Sequence, residues 1–235
     1  MHPADILDEL RSMSSAKAVD GLARYGIRPD NRLGVSIPAL RRLARKIGRN
    51  YELAGELWAS GIPDARILAG MIDDPALVTE AQLESWALDL DSWDVCDQCC
   101  TNLFGRTTWA LEKAMGWSRR EEEFVKRCGF VLIAHMAVHH KEAGDEVFGK
   151  FLQVIEREAT DDRNFVKKAV NWALRQIGKR NRPLNVLAVE TSRRIMSIPS
   201  RAARWIARDA LRELTGAKVQ TRIGGRQTPA SEPNR

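Results

Sequence analysis

Apolar residues recur at three- and four-residue spacing from one end of the chain to the other, and no convincing run alternates with the two-residue period of a strand. That pattern predicts an all-α protein. Helices are expected near residues 3–12, 15–25, 36–47, 51–59, 64–72, 79–89, 92–103, 106–115, 119–140, 144–158, 162–179, 183–197 and 200–215. Thr79 with Gln82 and Ser118 with Glu121 have the spacing of capping boxes, and Gly48, Gly116 and Gly216 stand where helices should stop. Short helices joined by tight turns stack as antiparallel pairs, and a pair every ~40 residues is the spacing of HEAT-type repeats. Residues 1–215 are therefore expected to form a single HEAT-like α-solenoid domain, with a compact helical bundle as the alternative. Residues 216–235 are rich in Gly, Thr, Pro, Ser and Arg without an apolar period, a composition expected to give a disordered basic tail.

Composition narrows the class. With 235 residues, 44% of them hydrophobic, the chain can bury a sizeable core. No apolar run approaches the ~20 residues that span a bilayer, and the N-terminus is acidic and amphipathic instead of resembling a signal peptide. A cytoplasmic protein is expected, nucleoid-associated when bound to DNA, with no membrane partner. Three of the four cysteines, Cys96, Cys99 and Cys100, fall within five residues, too close together for a framework of long-range disulfides. Reduced thiols are expected.

Charge is distributed unevenly. Residues 51–100 carry 1 Lys/Arg against 11 Asp/Glu, whereas residues 161–235 carry 17 against 6. A basic final third attracts polyanions, although charge alone does not separate DNA from RNA or from an acidic protein. Much of that charge lies in stripes at helical spacing. Lys168, Trp172, Arg175 and Lys179 share one face beside Phe165, Ala169, Ala173 and Ile177. Arg201, Trp205, Arg208 and Arg212 repeat the arrangement, and Arg42, Arg45 and Arg49 line a third helix behind Leu40, Leu43 and Ile47. Such edges could grip a phosphate backbone, the plainer alternative being solvated faces. The tryptophans weigh against plain solvation, because an indole is seldom left in water without a function.

The most unusual stretch is Asp91-Ser92-Trp93-Asp94-Val95-Cys96-Asp97-Gln98-Cys99-Cys100. Asp91 or Ser92 can cap a helix, Asp94 then falls in a first turn that favours an anion, and Trp93 and Asp97 share a face. Capping accounts for Asp94 better than for Asp97.

Over most of residues 1–215 the chain resembles the AlkD-like DNA alkylation repair glycosylases, a family built from HEAT-like repeats. The resemblance rests on Gly34-Val35-Ser36-Ile37-Pro38-Ala39-Leu40-Arg41, Trp93-Asp94-Val95-Cys96-Asp97, Lys126-Arg127 and Lys167-Lys168-Ala169-Val170-Asn171-Trp172-Ala173-Leu174-Arg175, taken in that order. It implies that Asp97 is the catalytic carboxylate and that Trp93 and Trp172 are aromatic walls of the cleft. It further implies that Arg127 contacts the DNA backbone, with Lys126 taking that place if the helix start shifts by one. Ser92, where the commoner pattern has an aromatic, and the cysteines after Val95 are departures from the family.

The implied chemistry needs few residues. Glycoside hydrolysis ordinarily uses two carboxylates, one of them to protonate the leaving group. A purine alkylated at N3 or N7 is already cationic and leaves without an acid, so one carboxylate suffices to stabilise the oxocarbenium-like sugar and position water. The implied partner is duplex DNA containing alkylated bases, acted on by a monomer without cofactor. The Cys96-x-x-Cys99 spacing, with Cys100, Cys128, His135 and His139 as possible further ligands, fits a zinc site, but no second pair has ligand spacing, so no metal is expected. Trp58, Trp86, Trp109 and Trp117 are expected in packing, and His135, His139 and His140 in ordinary core or surface roles. A HEAT-like scaffold that binds DNA or a protein without chemistry is the alternative function.

Overall fold

The computed structural model describes residues 2–224, and among these the regular elements are all helical. Fourteen α-helices follow in order: α1 (Pro3–Ser12), α2 (Ala16–Asp20), α3 (Ile37–Ile47), α4 (Tyr51–Ala59), α5 (Pro63–Ile72), α6 (Glu80–Leu88), α7 (Trp93–Asn102), α8 (Ala110–Trp117), α9 (Glu123–His139), α10 (Asp145–Arg157), α11 (Asn164–Gly178), α12 (Arg182–Ser197), α13 (Arg201–Leu214) and α14 (Ala217–Gly224). No helix is long and apolar enough to cross a membrane.

Local chemistry sets most boundaries. The hydroxyls of Ser36, Thr79 and Ser200 and the side-chain oxygens of Asn50 and Asn181 accept from backbone N–H groups in the first turns of α3, α6, α13, α4 and α12. Gly48, at a φ of 76°, ends α3 in a conformation that side chains resist. One expected cap is corrected. Ser118 closes α8 instead of opening α9, because its hydroxyl donates back to the Met115 carbonyl and the next helix begins only at Glu123. Gly116 accordingly lies inside α8, and the helix expected over 15–25 is the short α2 followed by a single 3-10 turn at Ala23–Tyr25.

The described residues form two compact units, the first ending at Leu132 and the second beginning at Ile133. In the first, α5 is central, packing against α1, α3, α4 and α7. Its Ala65, Ile67, Leu68, Ala69, Gly70 and Ile72 are all buried, and Gly70 leaves just enough room for Cys99 of α7. Trp58 and Trp86 stack 4.0 Å apart with rings nearly parallel, and Trp117 meets Phe104 edge-on while its indole N–H donates to Glu84 at 2.8 Å. These three indoles hold the core together, as the sequence predicts.

In the second unit α12 packs against α10, α11 and α13, and α11 against α13. Gly178 permits the closest approach, since a Cβ there would lie 2.7 Å from the Leu214 side chain. Arg180 ties the turn after α11 to the carbonyls of Ala137, Lys141 and Ala143. Part of the stretch expected to be disordered is helical: α14 buries Val219 and Ile223 and packs against α13, an i, i+4 apolar pair too short to register as a period. The rest of that expectation, residues 225–235, lies outside the described residues.

Candidate active site

Three of the residues singled out in the sequence meet on the first unit. Asp97 stands one turn after Trp93 on α7, and the start of α9 brings Arg127 to both. The Arg127 guanidinium donates from Nε to Asp97 Oδ1 at 2.9 Å and from Nη2 to Oδ2 at 2.8 Å, a bidentate pair. Its carbon lies 5.8 Å from the centre of the Trp93 ring. The Arg127 side chain is only 7% exposed and that of Asp97 19%, so the pair is largely withdrawn from solvent.

Burial pushes the Asp97 carboxyl up to about 7; Arg127 opposes that rise and the neighbouring Cys96 adds to it. Burial also works against the Arg127 charge, but Asp97 outweighs it and holds the guanidinium above its ordinary pKa. Arg127 is therefore placed as the partner of Asp97, not as an outward-pointing cation, and Lys126 beside it is buried as well.

The neighbouring carboxylate has a different task. Asp94 receives two hydrogen bonds from Arg32, at 2.6 and 2.8 Å, and Arg32 donates a third to the Ser92 hydroxyl at 2.7 Å. Ser92 occupies the N-cap position of α7 without capping it, and its oxygen accepts from Arg32 instead. The loop that carries Arg32 is itself pinned: the buried carboxylate of Asp64 accepts from the N–H groups of Leu33 and Val35 at 2.9 and 2.7 Å. Asn31, at a φ of 55°, and Gly34, at 72°, supply its left-handed turns. The Trp93 indole N–H donates to the Tyr25 carbonyl at 3.0 Å, so the same stretch of chain orients the tryptophan ring. Arg32 and its loop were missed by sequence reasoning. The one signal available was the Asn31 to Gly34 turn, which marks a shaped loop but not its partner.

Beneath the Asp97–Arg127 pair lie three thiols. Cys96 and Cys128 approach to 3.2 Å between sulfurs, and with Cys100 all three sulfurs fall within 4.8 Å of one another, fully buried. Burial opposes ionisation of Cys96, yet Cys100, Cys128 and the Arg127 charge hold its thiol well below the usual range. Burial pushes Cys99, Cys100 and Cys128 upward.

The basic stripes divide into engaged and exposed cations. In the second unit, Arg175 of α11 and Lys179 just after it both bond Glu213 of α13, at 2.5 and 2.7 Å, and Arg212 pairs with Asp209 while its side chain is 81% exposed. Lys168, Arg201 and Arg208 are exposed, as are Arg42 and Arg45 on α3 of the first unit, and none of the five forms an ion pair among the described residues. Arg49 is committed to the carbonyls of Met71 and Asp73 at the end of α5. Trp172, on α11, is half-buried, and Trp205, on α13, is 40% exposed beneath the Lys167 ammonium at 5.2 Å. Arg204, adjacent to Trp205 and also exposed, belongs with that stripe although the i, i+4, i+7 register passed over it.

Residues 6–214 match the family model described as DNA alkylation repair enzyme. No curated protein matches the sequence. Among solved structures, one described as belonging to a new family of proteins related to the HEAT-like repeat DNA glycosylases, with affinity for branched DNA structures, superposes with a TM-score of 0.77. It is 20% identical and covers 95% of this chain and 97% of its own, which establishes the HEAT-like repeat fold. A designed armadillo repeat protein in complex with a peptide, (KR)4, overlays at a TM-score of only 0.32, with 14% identity over 80% of this chain and 89% of its own.

Proposed function

Since the chain belongs to the DNA alkylation repair enzyme family, which connects it with DNA repair and DNA binding, we propose that it is a DNA glycosylase that removes cationic alkylated purines from duplex DNA. The 7-methylguanine and 3-methyladenine class is the substrate. These bases carry their own positive charge, so the glycosidic bond breaks without a general acid, and the enzyme has only to favour the cationic sugar. Asp97 fills that role, with its side chain largely buried and its two oxygens held in one orientation by Arg127. The observation that carries this assignment is the bidentate Arg127 clamp on a carboxylate 19% exposed beside the Trp93 ring.

Each part has a physical contribution. A fixed anion in a water-poor site stabilises developing positive charge by a few kcal/mol, because no solvent must reorganise around it. The Trp93 face adds a quadrupole of the same sense. Arg127 keeps Asp97 from swinging, and its charge opposes the protonation that burial favours. Arg42, Arg45, Lys168, Arg201 and Arg208 bind DNA phosphates, each as an exposed cation without an internal partner among the described residues. Trp172 keeps the aromatic role that the resemblance implies, and the protein acts as a monomer.

A second reading is a DNA-binding scaffold without chemistry. It is favoured by the affinity for branched DNA described for the structurally similar protein. One experiment separates them. Release of 7-methylguanine or 3-methyladenine from methylated duplex by the intact chain, lost in Asp97→Asn with DNA binding retained, supports the enzyme. Tight binding to branched or undamaged DNA with no release by the wild type supports the scaffold.

A further inference from the structure

Cys96, Cys100 and Cys128 form an unusual group for a protein core. Two stand four residues apart on α7, the third comes from α9, and all three are fully buried with their sulfurs within 4.8 Å of one another. Packing alone does not call for this. Small apolar residues would fill the same space, and sulfurs in mutual contact gain little that methyl groups would not.

The geometry has the dimensions of a metal site. A metal–sulfur bond of about 2.3 Å, with three sulfurs arranged in a plane around the ion, separates the sulfurs by about 4 Å. The observed separations, from 3.2 Å for Cys96 to Cys128 up to the 4.8 Å bound, bracket that value. The number of donors selects the ion. A closed structural zinc site takes four ligands, and the group here comprises three, with no fourth Cys, His or carboxylate among the described residues completing it. Cys99 does not complete it, since it packs against Gly70 on α5. Thiolates select soft ions, and a monovalent d10 ion accepts three-fold coordination.

We propose that Cys96, Cys100 and Cys128 form a three-coordinate thiolate site for monovalent copper, which fastens α7 to α9. Each ligand helix carries one member of the ion pair next to a cysteine: Asp97 follows Cys96, and Arg127 precedes Cys128. An ion at this point holds the two helices in the register that joins the carboxylate to the guanidinium. The site stands whether or not Asp97 is catalytic.

The test uses the full chain, reduced and handled without oxygen, titrated with monovalent copper presented as its bicinchoninate complex. One copper per chain should transfer from the chelator, with three sulfur neighbours near 2.2–2.3 Å by X-ray absorption. Cys100→Ala and Cys128→Ala should each weaken binding at least 100-fold, whereas Cys99→Ala should leave it within about three-fold. The absorption spectrum of the wild type does not depend on the variants folding. Failure to take copper, coordination by fewer than three sulfurs, equal loss in Cys99→Ala, or tighter one-to-one binding of zinc than of copper would overturn the assignment.

Discussion

The Arg32–Asp94 pair offers a quantitative test of how the α7 start is held. The Arg32 side chain is 5% exposed and that of Asp94 20%, and three charge-assisted hydrogen bonds of 2.6 to 2.8 Å join the guanidinium to Asp94 and Ser92. Removing one partner of a fully buried pair costs about 3–5 kcal/mol, because the other charge is left without compensation. Asp94 keeps some contact with water, so Arg32→Met should cost less, about 2–3 kcal/mol. Asp94→Asn retains a hydrogen-bond acceptor and should cost about 2 kcal/mol. In the double variant the two losses should overlap, giving a coupling of about 1–2 kcal/mol. Urea unfolding of the four proteins, followed by tryptophan fluorescence with both transitions fitted if the two units separate, measures each quantity. A coupling below 0.5 kcal/mol would refute the clamp. If Asp94→Asn abolished base release while stability stayed within 0.5 kcal/mol of wild type, the division of labour between Asp94 and Asp97 would be reversed.

Three other outcomes follow from the same structure. Asp73 is fully buried, and burial raises its carboxyl from 3.8 to about 6 against the hydrogen bonds from Gln82 and the Asp74 N–H. The folded state thus binds the proton more tightly than the unfolded chain, so stability should fall by roughly 2–3 kcal/mol as pH rises from about 4 to 6 and then level off; Asp73→Asn should flatten this slope in pH-dependent urea melts and be more stable than wild type at pH 8. At Gly129 an added Cβ would lie 2.4 Å from the Ser118 backbone nitrogen, and backbone cannot step aside, so Gly129→Ala should lose about 3 kcal/mol by the same assay. Replacing Arg201, Arg204 and Arg208 together by Ala should weaken duplex binding and lower the log–log salt slope by up to about 2.7, at roughly 0.9 per phosphate contact; an unchanged slope would remove α13 from the DNA-binding surface.

Local features of the fold were legible in the sequence because they depend on near neighbours. Helical period, the Thr79 cap and the stop at Gly48 need only a few adjacent residues. Ser118 misled because its Glu121 spacing fits a capping box, whereas Gly129 packs directly on the Ser118 backbone, where its hydroxyl turns back to Met115. The site was legible in part. Trp93 and Asp97 share a helix face, but the distances from Arg32 to Asp94 and from Cys96 to Cys128, 62 and 32 residues along the chain, are set by packing that no local pattern encodes. The stripes also read as uniform lines of cations. Glu213 and Asp209 approach Arg175 and Lys179 from another helix, and only the fold shows which cations are already engaged.

The proposed chemistry on DNA depends on Asp97. Its most direct test is the release of methylated purine from duplex DNA by wild type and by Asp97→Asn, at equal enzyme saturation, with far-ultraviolet circular dichroism confirming the fold. The wild type should release the base and the variant should lose at least 100-fold, with affinity for the duplex unchanged within about three-fold. Equal release by the two proteins would contradict it.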